Sequence, residues 1–123
     1  MREAILLFGG EADLELALKK ALAPLRILVR TVPRERYSDS VGLLAGDKSC
    51  PAGERPFEGE ELSQPLMLLA GFTGARMDQA LNALRRAGVR VDYKAALTAA
   101  NRTWDVPALY GEISREHQQM HQA

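Results

Sequence analysis

The 123-residue chain reads as an α/β fold, more narrowly α+β: a ferredoxin-like sheet made from a duplicated strand–helix–strand unit, with a helix added at the C-terminus. Three features point there. Two short apolar runs, Ala4–Phe8 and Leu66–Ala70, each stop at a glycine; apolar residues at helical spacing follow each run; and each helix leads into a segment that alternates with a period of two. A continuous apolar run bounded by turn residues suits a strand covered on both faces, so these two runs belong in the middle of a sheet.

After Gly9-Gly10, the residues Leu14, Ala17, Leu18, Ala21 and Leu22 form the inner face of a first helix. Glu11, Asp13 and Glu15 come early in it and Lys19 and Lys20 late, the order that the helix dipole favours. Pro24 stops this helix. From Leu25 to Val32, Ile27, Val29 and Thr31 alternate with Arg26, Leu28 and Arg30, a second strand with one wetter face. Residues 34–64 break the rhythm: a polar start, a brief apolar patch at Val41–Ala45, then prolines, glycines and acids without periodicity. That stretch reads as a mobile loop inserted between the units 1–33 and 65–123 of a single domain.

In the second unit Thr73 is expected to cap a helix whose inner face is Met77, Ala80, Leu81 and Leu84, with Gly88 as its left-handed stop. Val89, Val91 and Tyr93 then alternate with Arg90, Asp92 and Lys94 as a fourth strand. Asp105 caps a final helix with Pro107 in its first turn and a stripe of Val106, Leu109, Tyr110, Ile113, His117 and Met120. The halves align, Leu6, Leu7 and Gly9 on Leu68, Leu69 and Gly71. Two such units give either a ferredoxin-like sheet of order 4-1-3-2 or a small doubly wound parallel sheet. The connector from the second strand to the third lacks the amphipathic helix of a parallel crossover, which favours the ferredoxin-like form. Two helices on one face leave the other face to the C-terminal helix or to a partner subunit.

Sixteen Lys and Arg balance sixteen Asp and Glu, so no overall field gathers nucleic acid or an anionic membrane, and neither is an expected partner. The one cysteine, Cys50, provides no disulfide and no thiolate metal framework, which fits a reducing compartment. Ile5 to Phe8 is too short for a secretory apolar region or a membrane span, so the expected location is cytoplasmic.

The segment Leu66–Phe72, the helix end Leu84–Val89, Lys94–Thr98 with Asn101 and Trp104, and Leu109–Glu112 with Glu116 and His117 together resemble the bacterial DUF3783 family. Tyr37 and the stretch Gly42–Gly46 resemble the N-terminal part of its longer members. The resemblance implies a fold neighbourhood and a bacterial origin. It implies no reaction and supplies no catalytic residue.

The densest polar cluster follows the fourth strand: Lys94, Thr98, Asn101, Arg102 and Thr103 beside Trp104. Ligands of open α/β sheets gather where strands end and helices begin, so Lys94, Thr98, Asn101, Arg102 and Trp104 are the candidate ligand-binding residues, for a carboxylate or a phosphate. The plainer reading makes Asn101 and Thr103 turn residues and Trp104 a packing staple. Neighbours on a helix point about 100° apart, so Glu116 and His117 do not form an acid–base pair by themselves. His117 and His121 share a spacing that binds metals but lack an evident third ligand, and the glycine turns Gly9-Gly10 and Gly71–Gly74 lack the spacing and lysine of a phosphate loop. Arg26, Arg30, Arg34 and Arg36 line an edge strand, read here as a solvated edge rather than a grip on RNA. No catalytic residue, metal or cofactor is therefore assigned. The expectation is a non-catalytic binding or regulatory module for a small anionic ligand or a protein segment. An enzyme using Lys94, Asn101 and His117 with Tyr37, and a self-associating structural protein or homodimer, are the alternatives.

Overall fold

A computed structural model of the chain describes residues 2–120. His121, and with it the paired-histidine spacing, lies outside the described residues. Four strands and four helices follow in the order β1 (Ala4–Phe8), α1 (Ala12–Leu22), β2 (Leu28–Thr31), α2 (Val41–Leu44), β3 (Leu66–Ala70), α3 (Gly74–Arg86), β4 (Tyr93–Ala96) and α4 (Val106–Met120). The architecture is a mixed sheet packed with helices, as the α+β reading expects. Both apolar runs occupy the middle of the sheet, and every residue of β1 and β3 is buried.

The strand order is a correction. It is β2-β1-β3-β4, with β1 parallel to β2, β3 parallel to β4, and β1 antiparallel to β3 in the register Leu6↔Leu68. Neither the order 4-1-3-2 nor an all-parallel sheet is formed. Each strand–helix–strand unit closes on itself as a direct parallel pair, and the two units meet back to back through β1 and β3. A ferredoxin-like order makes β2 and β3 neighbours, which suits a short connection between them. Here residues 32–65 are long enough to traverse the far face of the sheet before β3 begins.

That traverse also changes the reading of residues 34–64. The segment carries the short 3₁₀ turn Arg34–Arg36 and the helix α2, whose cap Ser40 accepts a hydrogen bond from the Leu43 amide at 3.3 Å. Tyr37, Val41 and Leu44 are buried on the sheet with Leu6, Phe8, Leu66 and Leu68, joined there by Val106 and Leu109 of α4. The opposite face holds Ile5, Leu7, Met67 and Leu69 under Leu18 and Leu22 of α1 and Ala80 and Leu84 of α3. Alternation along β1 and β3 thus feeds two cores, one on each face. The face expected to be covered by the C-terminal helix is covered by α4 and the 34–64 segment together.

Gly9 and Gly71 end the two central strands with φ of 76° and 79°, matching positions in the two units and a conformation other residues adopt only with strain. The Thr73 hydroxyl accepts from the Arg76 amide at 3.2 Å, Asp105 Oδ1 accepts from the Ala108 amide at 2.9 Å, and Gly88 ends α3, all as the sequence predicts. β2 is shorter than expected because the turn Ala23–Leu25 extends the helix and Arg26 reverses the chain. The fourth strand begins at Tyr93, not Val89: Val91 packs with the α3 core while Tyr93 packs with the α4 core. Among the described residues no helix is long and apolar enough to cross a membrane.

Candidate functional site

The turn after β4 is built around Asn101. Its Oδ1 accepts from the Thr98 amide at 2.9 Å, its Nδ2 donates to the Ala96 carbonyl at 2.9 Å, and its own amide donates to Thr98 Oγ1 at 3.1 Å. Asn101 is buried, so these bonds satisfy a side chain that has left water. Its side chain holds the turn. Arg102 reaches across to the 34–64 segment, where its Nη1 lies 3.0 Å from Asp47 Oδ2 and 3.6 Å from Cys50 Sγ. The Arg102 and Trp104 carbonyls accept from the Gly42 and Val41 amides, both at 2.8 Å. A methyl group on Gly42 would meet the Arg102 carbonyl oxygen at 2.6 Å, so only glycine allows this approach. Trp104 packs against the α4 core. The turn and the residue 40–50 region form one seam. The hydroxyl and amide of Ser49, then the Cys50 thiol and Arg102, hold the Asp47 carboxyl down at about 2.

Lys94 belongs elsewhere. It pairs with Met67 across β4 and β3, and successive strand residues point to opposite faces, so it lies on the α3 side while Tyr93 and Ala95 lie on the α4 side. The sequence places Lys94, Thr98, Asn101, Arg102 and Trp104 close together along the chain; the fold divides them between the faces of the sheet.

On its own face Lys94 lines a cleft of about 550 Å³ between α3 and β4. Its floor is Met67, Leu81, Leu84, Val89 and Val91, and its rim is Arg85, Arg90, Asp92 and Lys94. Lys94 Nζ donates to the Val91 carbonyl at 2.7 Å, leaving two of its three N–H donors for another acceptor. Arg90 Nε donates to Asp92 Oδ1 at 2.6 Å, and that hydrogen bond is the chief reason the Asp92 carboxyl lies below its usual range. With Asp92 so held, the rim keeps positive charge on Lys94 and Arg85. Sequence reasoning misses this cleft because it reads Val89–Lys94 as strand, whereas β4 begins at Tyr93 and the residues before it line the cleft with the end of α3.

The remaining residues of the catalytic alternative have separate partners. The Tyr37 hydroxyl donates to Glu61 Oε1 at 2.6 Å, and burial, then that bond and the Glu61 charge, raise its pKa well above the usual tyrosine value. The His117 ring meets Tyr93 edge-on with centroids 5.0 Å apart. Among the described residues, no group of three or more His, Cys, Asp or Glu is placed to hold a metal ion.

No curated protein and no solved structure matches the chain. Over residues 65–120, which span β3, α3, β4, the Lys94 cleft, the Asn101 turn and α4, the chain matches the model of one family, a domain of unknown function (DUF3783), and there it is similar to that family.

Proposed function

We propose that the protein is a non-catalytic binding module that takes an anionic ligand with an apolar body into the cleft between α3 and β4, in a cytoplasmic setting that suits its single free thiol. The observation that carries this reading is the pairing of an apolar floor with a rim whose one acid, Asp92, is already engaged by Arg90. A cleft of about 550 Å³ is of the size that small ligands fill, and most such sites are apolar with a few placed polar groups. An anionic head against Lys94 and Arg85, with its chain over Leu81, Leu84 and Val89, meets both requirements. A non-catalytic role is supported by the separate bonding of Tyr37, Asn101 and Lys94, since general acid–base work needs such groups within hydrogen-bond reach of one substrate.

Octanoate is a suitable probe, with a carboxylate and a chain short enough for the cleft. A ligand that binds only the folded state stabilises it by about 2.7 kcal/mol at a hundred times its Kd, which a thermal melt detects. Octanoate raises the Tm of the wild type, octylammonium does not, and Lys94→Met with Arg85→Gln removes the octanoate effect. An equal rise with both amphiphiles, an equal rise in the variant, or no rise in the wild type defeats the proposal.

A further inference from the structure

The opposite edge of the sheet carries a second cleft, of about 620 Å³, between the start of β1, the start of β2 and the end of α2. Arg2, Arg26 and Arg30 line it, together with Glu3, Asp47 and the apolar Ala4, Leu28 and Ala45. Two acids among three arginines appear at first to cancel most of the charge. Both acids, however, are committed to partners that do not line the cleft. Glu3 accepts from Arg76 Nε and Nη2, each at 2.8 Å, and that paired hydrogen bond is the main reason its carboxyl lies below its usual range. Asp47 accepts from Ser49 and Arg102. The three guanidiniums are left as the uncompensated charges of the cleft: Arg30 donates to the Leu44 carbonyl at 2.9 Å, and Arg2 and Arg26 form no ion pair among the described residues.

Arg26 is also the one non-glycine residue among those described with a positive φ, 57°. Glycine or asparagine turns the chain there with less strain, yet the position holds an arginine whose side chain borders the cleft. Leu28 is 54% exposed on the same wall, a large apolar side chain left beside concentrated positive charge.

We infer that this cleft binds a phosphorylated small molecule, with the phosphate held by Arg2, Arg26 and Arg30 and an apolar body resting on Leu28. Guanidinium forks match phosphate oxygens two at a time, so several arginines around one cavity favour a multiply charged oxyanion over a single carboxylate. The size of the cleft and the balanced overall charge favour a small ligand over a nucleic acid, which is held along an extended basic surface. The site is independent of the Lys94 cleft and stands or falls separately.

The test is titration calorimetry of the full chain with inorganic pyrophosphate at low salt, with a single-stranded oligonucleotide as the second titrant. Arg2→Gln and Arg26→Asn are the variants: residue 2 precedes the first strand, and asparagine tolerates the backbone at residue 26. Pyrophosphate binds the wild type saturably, the double variant binds it at least tenfold more weakly with an unchanged circular dichroism spectrum, and Lys94→Met binds it as the wild type does. Absence of saturable binding, an equal loss in Lys94→Met, or tighter binding of the oligonucleotide that disappears in the same double variant overturns the inference.

Discussion

At the scale of single residues, Asp47 shows how one carboxylate can serve a fold and shape a site. The hydroxyl and amide of Ser49, the Cys50 thiol and the Arg102 guanidinium converge on it, and its carboxyl is held down at about 2. An unfolded chain releases this proton near the ordinary aspartate value, about 3.9. Between those two values the unfolded state binds more protons than the folded one, so acidification favours unfolding there. The stabilisation from Asp47 is complete above about pH 4 and is lost as the pH falls toward about 2. Melting temperature measured against pH is expected to fall less steeply across that window in Asp47→Asn than in the wild type, because the variant has no proton to take up at that position. Parallel curves would mean that the Arg102 and Ser49 contacts do not persist in solution. Asn101 teaches the complementary lesson. Its polar side chain in a loop after a strand reads equally as ligand or as turn residue, and only its burial and its three hydrogen bonds assign it to the turn.

At the scale of elements, what was legible in the sequence is what neighbouring residues decide. Both central strands, the caps at Thr73 and Asp105, the Gly88 stop and the stripe of α4 as far as His117 follow from local spacing and cap chemistry, and the structure repeats them, whereas Met120, the last residue expected in the stripe, is exposed. Features set by distant segments were not legible. Not everything missed is distant: Lys94 bonds back to Val91, and Val91 and Tyr93 pack on opposite faces although their spacing predicts one face. The candidate site divides because Lys94 pairs with Met67 on the α3 side of the sheet, and the cleft of Arg2, Arg26 and Arg30 joins elements far apart in the chain. The seam between α2 and the Asn101 turn is another such feature, and it can be tested at Gly42. A Cβ there meets the Arg102 carbonyl oxygen and Cys50 Sγ, each at 2.6 Å, and a backbone oxygen cannot swing aside as a side chain can. Gly42→Ala is expected to cost about 1–3 kcal/mol in urea denaturation through overpacking. Thr73→Ala, which removes only a helix cap, is expected to cost about 1 kcal/mol. A Gly42→Ala protein as stable as the wild type would show that the seam opens freely.

At the scale of the whole molecule, antiparallel pairing of β1 with β3 places α1 and α3 together on one face and leaves the other face for segments outside the two units. On that second face Leu6, Phe8, Leu66 and Leu68 need cover, and Tyr37 sits at the centre of what covers them. Its ring meets Phe8 at 5.9 Å and Phe57 at 5.6 Å between centroids, its hydroxyl reaches Glu61, and its carbonyl accepts from the Val106 amide at the start of α4. One fully buried residue thus ties β1, both ends of the 34–64 segment and the last helix together. If the segment is part of a single cooperative domain, Tyr37→Ala removes a buried aromatic ring and costs about 3–5 kcal/mol, a large share of the roughly 5–15 kcal/mol that holds a typical domain folded. Denaturant unfolding of the variant then remains one transition with an unchanged slope and an earlier midpoint, because the same surface is exposed from a less stable start. A detachable loop predicts the opposite: a loss below about 0.5 kcal/mol, the range of surface substitutions, or a separate early transition as the segment leaves a sheet that stays folded. Tyr37→Phe separates the two contributions of the side chain. It keeps the ring between Phe8 and Phe57 and loses only the hydrogen bond to Glu61, so it is expected to cost about 1.5–3 kcal/mol. The difference between the two variants measures how firmly packing alone fastens the middle of the chain to the sheet.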